Sequence, residues 1–134
     1  MGNKLITDKG KTELLRLGFV DGNQQAFSYL ALGSGDSEGA QGNTFVEVTS
    51  NNYQRVPTSL EENIEGSEKQ ITISGVFEEG NYNPSDGGLI SEIGLCNSQV
   101  NTGDNDIFFL YSEVPEIYKT DSISLKYTII ISIE

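Results

Sequence analysis

Histidine and tryptophan are absent from this chain of 134 residues, cysteine and methionine occur once each, and proline three times. Without histidine no Ser-His-Asp or Cys-His mechanism operates, and no His-containing zinc site forms. One cysteine makes neither an internal disulfide nor a thiolate cage. Cys96 sits in the apolar run Ile93-Gly94-Leu95-Cys96-Asn97, with no positive charge near it in sequence, and reads as a small core hydrophobe. A chain without structural disulfides suits a reducing cytoplasm. Basic residues are scarce as well: 8 Lys and Arg against 20 Asp and Glu, for a net charge of −12. That balance excludes a phosphate-binding surface, so no nucleic-acid partner is expected. Long apolar runs are missing. The richest stretch, Tyr127 to Ile133, is broken by Thr128 and Ser132 and falls far short of a membrane span, and no signal-peptide pattern opens the chain.

What is present is enough apolar residue for one core, 36 % of the chain, and a length of one ordinary domain, taken as residues 1–134. The charge is unevenly spread. Lys4, Lys9, Lys11 and Arg16 against Asp8 and Glu13 give the first 16 residues +2, leaving −14 on the rest. A basic end on an acidic body serves solubility, and it also suits docking between surfaces of opposite sign.

The first element predicted is a helix. Thr7 caps it, Asp8 and Arg16 match its dipole, Leu14, Leu15 and Leu17 form an apolar stripe, and Gly18 ends it. Gly10 weakens it by roughly 1 kcal/mol relative to alanine, and its shortness requires that it pack on something. Strands follow at short spacing. Phe27 to Leu32 runs into the glycine loop 33–39, and Phe45 to Val48 is an apolar patch. Tyr53 to Val56 stops at Pro57, and Gln70 to Phe77 alternates with an irregularity at Gly75. Leu89 to Leu95 and Ile107 to Tyr111 are further strands, with Pro115 setting an edge or a bend. Ile123, Leu125, Tyr127, Ile129, Ile131 and Ile133 alternate with polar residues to close the chain in an 11-residue strand, with Ile130 on its outer face. One helix and five to seven strands predict a mainly β chain: an antiparallel β-sandwich with one short N-terminal α-helix packed against it.

Few constellations carry chemistry. The glycine loop lacks the Gly-Lys-Ser/Thr ending of a phosphate loop, and Asp36 and Glu38 would repel phosphate. Asp104-Asn105-Asp106 and Asp36-Ser37-Glu38 offer oxygen atoms without the spacing of a calcium loop. Glu61 with Glu62 and Glu78 with Glu79 are adjacent carboxylates, not a facing acid and base. Glu92 is the charged residue inside an otherwise apolar strand, on the face of Ile90, Gly94 and Cys96. It reads either as part of a half-exposed sheet face or as the partner of Arg55 or of a neighbouring subunit.

Four segments occur in a familiar order: Ile6-Thr7-Asp8-Lys9-Gly10, Tyr29-Leu30-Ala31-Leu32-Gly33-Ser34-Gly35, Ser91-Glu92-Ile93-Gly94-Leu95-Cys96-Asn97 and Val114-Pro115-Glu116-Ile117-Tyr118-Lys119. In this the chain resembles the N-terminal domain of phage tail-collar fibre proteins and related baseplate-attached tail-fibre proteins, from about Leu5 to Ile133. Two departures stand out. Ser37-Glu38-Gly39-Ala40 lacks the proline that often follows the family's glycine turn. The chain also stops one residue after its last strand, without the shaft and receptor-binding tip that such proteins carry, so no receptor-binding role is carried over.

The resemblance implies a virion module, assembled in the host bacterial cytoplasm, that attaches to other tail proteins as a homo-oligomer, three-fold by analogy. No catalysis, cofactor, metal or membrane is expected. The alternative is a host-surface carbohydrate-binding module of a phage tail, for which Tyr82, beside Asn83, and Tyr118 are the attractive rings. The candidate interface residues are Gly33, Ser34, Gly35 and Asp36 in the glycine loop, Glu92, and Ile130. The loop 79–88 and the edge near Pro115 are further contact candidates.

Overall fold

Period-2 alternation of apolar residues places the strands, and the points where it breaks place the turns between them. The computed structural model describes residues 4–19, 26–34, 45–49, 52–65, 69–82, 88–100 and 107–133. In chain order these form β1 (Lys4–Ile6), α1 (Asp8–Phe19), β2 (Tyr29–Gly33), β3 (Val56–Pro57), β4 (Ser59–Asn63), β5 (Lys69–Phe77), β6 (Gly88–Cys96), β7 (Phe108–Lys119) and β8 (Leu125–Ile133). The strands make two antiparallel sheets, a five-stranded one ordered β1-β7-β6-β2-β3 and a three-stranded one ordered β4-β5-β8. The fold is therefore the expected mainly β sandwich with one helix. The chain crosses between sheets at Thr58, whose N–H and hydroxyl both donate to the Ser28 carbonyl, at 2.9 and 3.1 Å.

The core lies between the sheets. Leu30, Leu32, Ile93, Leu95 and Leu110 come from the larger one and Ile73, Phe77 and Ile129 from the smaller, all buried. Gly75 sits at the closest approach, where an added Cβ would lie 2.8 Å from Leu30 Cδ1. The expected irregularity at Gly75 is absent, because β5 pairs with β8 in unbroken register from Lys69↔Ile133 to Phe77↔Leu125. The glycine admits the facing leucine instead.

Other expectations need correction. The closing strand begins at Leu125, since Ile123 is taken into a turn by its N–H bond to the Thr120 carbonyl. β4 went unpredicted because all five of its residues are exposed and so show no alternation. Between β6 and β7 the register shifts: Ile90 faces Ile117 and Glu92 faces Glu113, so Ser91 alone stands opposite the three β7 residues Val114, Pro115 and Glu116. The extra residues belong to β7, and Ile90 is buried in the core cluster together with Ile93 and Leu95. Pro115 is tolerated inside β7 because β1 pairs only from Leu110 to Ser112, leaving an uncovered edge beyond.

Candidate attachment surface

The helix is pinned at its first turn. The Thr7 side-chain oxygen accepts the Gly10 N–H at 2.8 Å, capping α1 as predicted, while the Thr7 hydroxyl donates to the Phe108 carbonyl. Thr7 N–H also donates to the Phe109 carbonyl at 2.9 Å. Gly10 lies directly on the β7 backbone, where a Cβ would come within 2.6 Å of Phe109 Cα. Glu13, one turn further, is buried. These two residues fix which side of α1 faces the protein, and it is not the leucine side. Leu14 and Leu15 are 51 % and 60 % exposed, with Leu17 and Ile6 also exposed. The expected inward stripe thus points outward. Positions 11, 14 and 15 are neighbours on a helix surface, which sets Lys11 beside Leu14 and Leu15.

The residues predicted from the glycine loop and β6 are mostly internal. Gly33 is buried at the end of β2 opposite Glu92, and an added Cβ would meet Glu92 Cγ at 2.5 Å and Phe45 Cε1 at 2.6 Å. Ser34 is half-buried and donates its N–H to the Val46 carbonyl at 2.9 Å. Glu92 is fully buried, which removes the half-exposed sheet face, and its Oε1 accepts the Val46 N–H at 2.9 Å. Together they hold the segment 45–49 alongside β2, where Val48 N–H donates to the Leu32 carbonyl at 3.0 Å. Gly35 and Asp36, the two acidic loop clusters and Asn83 lie outside the described residues. Ile130, on the other sheet, is 49 % exposed on the outer face, where the alternation places it.

Arg55 is buried and pairs with Glu47 rather than with Glu92. Its Nε and Nη2 donate to the two Glu47 carboxylate oxygens at 2.8 and 2.7 Å. Its Nη1 donates to the carbonyls of Ser98 and Val100 at 3.1 and 3.4 Å, and the guanidinium lies 5.0 Å from the centre of the Phe108 ring. Tyr53 donates its hydroxyl to Glu47 and accepts the Leu32 N–H at 3.2 Å. Burial, reinforced by the Glu47 carboxylate, raises the Tyr53 phenol well above its ordinary range. Phe45 stacks on Tyr111 at 4.9 Å between centres, beside Phe108.

This cluster ties 45–49 to 98–100 across the outer face of the five-stranded sheet. A cleft of about 700 Å³ opens beside it, lined by Glu47, Val48, Tyr53, Gln54, Arg55 and Val100. Its charged groups bond to each other, so the arrangement clamps chain segments together. The only sequence signal for it was a glutamate set between valines.

Lys119 is fully buried, its ammonium donating to the carbonyls of Glu78 and Glu79 at 2.8 and 3.4 Å. Burial lowers its proton affinity, against the pull of Glu79, Asp121 and Glu78. Of the two rings considered for sugar binding, Tyr82 is 7 % exposed and packs in the core, whereas Tyr118 is exposed. Among the described residues no group of three His, Cys, Asp or Glu is placed to hold a metal ion, and no helix is long and apolar enough to cross a membrane. Comparison with protein-family models, curated proteins and solved structures finds no match to this chain.

Proposed function

We propose that the protein is a non-enzymatic structural component of a bacteriophage virion. In this reading it is an attachment module at the tail baseplate or tail-fibre junction, acting through contacts with other tail proteins. The order of the four sequence segments supports the class. The single observation that carries the mode of action is α1: one side is pinned to β7 through Thr7 and Gly10, and Leu14 and Leu15 are presented to solvent. Leucines on a rigidly seated helix make a ready contact surface, because burying them against a partner costs little ordering of the helix itself. The basic character of the first 16 residues, +2 in sequence, adds attraction for an acidic partner.

Completing the burial of two half-exposed leucines contributes roughly 2–3 kcal/mol, or about 30- to 150-fold in affinity. The test is co-expression of the tagged chain with the products of the reading frames flanking its own gene. Co-purification of a tail protein, lost in a Leu14→Glu/Leu15→Glu variant whose circular dichroism is unchanged, is the expected result. Failure of the unmodified chain to bind any tail protein would overturn the reading.

A further inference from the structure

A β-sheet edge left open invites another strand, and proteins guard edges by making them short, charged or interrupted by proline. Among the described residues this molecule guards all but one. β1 and β3 are three and two residues long. The uncovered part of β7 carries Glu113, Pro115 and Glu116, and β4 carries Glu61 and Glu62. The exception is β8, at the end of the three-stranded sheet, with nine residues in unbroken register against β5 and, among the described residues, no strand on its other side. Its sequence is Leu125-Lys126-Tyr127-Thr128-Ile129-Ile130-Ile131-Ser132-Ile133, with one charge and no proline or glycine.

We propose that β8 joins a second copy of this chain, the two strands pairing antiparallel about a two-fold axis at Ile130, so that two three-stranded sheets become one of six strands. The pattern of β8 is self-complementary around that residue. With Ile130 opposite its own copy, Ile129 falls opposite Ile131, Thr128 opposite Ser132, and Tyr127 opposite Ile133. Apolar thus meets apolar and hydroxyl meets hydroxyl. A one-residue slip would break each of these matches. The core-facing side chains of β8 are also incompletely covered: Tyr127 and Ile131 are half-buried, whereas Ile129 between them is buried. A neighbouring strand would finish their burial. The contact is isologous and closes at two subunits, where a three-fold ring would need a heterologous one. It uses the three-stranded sheet and stands apart from the attachment reading, which uses α1 on the other.

Analytical ultracentrifugation of the full chain at micromolar concentration tests this, with twice the chain mass expected. Ile130→Lys sets two ammonium groups against each other at the axis and should shift the species to monomer. Ile130→Cys places two thiols about 5 Å apart between facing Cβ atoms, so a short bismaleimide should link most of the protein into covalent pairs. Leu60→Cys is the control: it is exposed on β4, five strand spacings, or roughly 24 Å, from its copy, and should stay unlinked. A monomeric or trimeric unmodified chain, or a dimer indifferent to Ile130→Lys with no cross-link at position 130, would overturn the proposal. Should Ile130→Lys fail to fold, the cross-linking pair alone decides.

Discussion

Arg55 and Glu47 show how a single buried pair organises what lies around it. The guanidinium meets the carboxylate through two hydrogen bonds and also donates to the 98–100 segment. Removing one partner of such a pair leaves a charge uncompensated and costs roughly 3–5 kcal/mol. Glu47→Ala is therefore expected to lower stability by about 3 kcal/mol, read as a fall in the urea midpoint with an unchanged slope. Tyr53, bonded to the same carboxylate, ties this site to pH. Tyr53, Tyr82 and Tyr127 all have phenols raised by burial, Tyr127 to about 12. Each thus favours the neutral ring in the folded state. Their stabilisation is complete below pH 10 and is lost as pH climbs from 10 toward 12, because the unfolded chain releases those protons first. Lys119 runs the other way: its lowered affinity makes folding more favourable as pH nears 10.5. Three groups oppose one, so stability should fall above pH 10. Absorbance titration at that pH should show fewer ionised tyrosines in folded than in urea-unfolded protein, and equal counts would contradict the account.

At the scale of the element, α1 and the β6–β7 pair mark where local pattern and tertiary contact part company. The helix, its Thr7 cap and its position were legible, since caps and dipole charges act within a few residues. Its orientation was not, because Gly10 scores as a helix weakness in isolation yet is the residue that lets the helix rest on Phe109. Gly10→Ala, which would strengthen an isolated helix by roughly 1 kcal/mol, should here destabilise the protein by about 1–3 kcal/mol through the forced displacement of α1 from β7. A raised melting temperature for that variant would contradict the seating of the helix. The register shift where Val114 to Glu116 of β7 stand opposite Ser91 was not readable, since a bulge leaves no mark in composition. β8 was the easiest strand to read, its inward residues being consistently apolar. The Glu92 and Arg55 assignments failed for a common reason. A charge inside a strand calls for a partner, but sequence does not name it, and here a backbone N–H serves Glu92 while Glu47 serves Arg55.

For the molecule as a whole, the exposed apolar residues include two sets that lie on different sheets. Ile6, Leu14, Leu15 and Leu17 surround the helix on the five-stranded sheet, and Ile130 lies on the outer face of the three-stranded one. Two surfaces allow two contacts at once, one to a like chain and one to a different protein, as a module that joins parts of an assembly requires. The uneven charge bears on the second. With +2 in the first 16 residues and −14 in the remainder, attachment to an acidic partner should weaken between 50 and 500 mM salt, mainly through a slower association rate. Salt-independent association would leave the leucines as the sole determinant. The claim on which the account rests is that the protein is a virion component acting through contact alone. Mass spectrometry of purified particles of the phage encoding it tests this most directly. The account predicts the chain in fixed stoichiometry with the tail proteins, whereas its presence in infected cells and absence from the particles would contradict it.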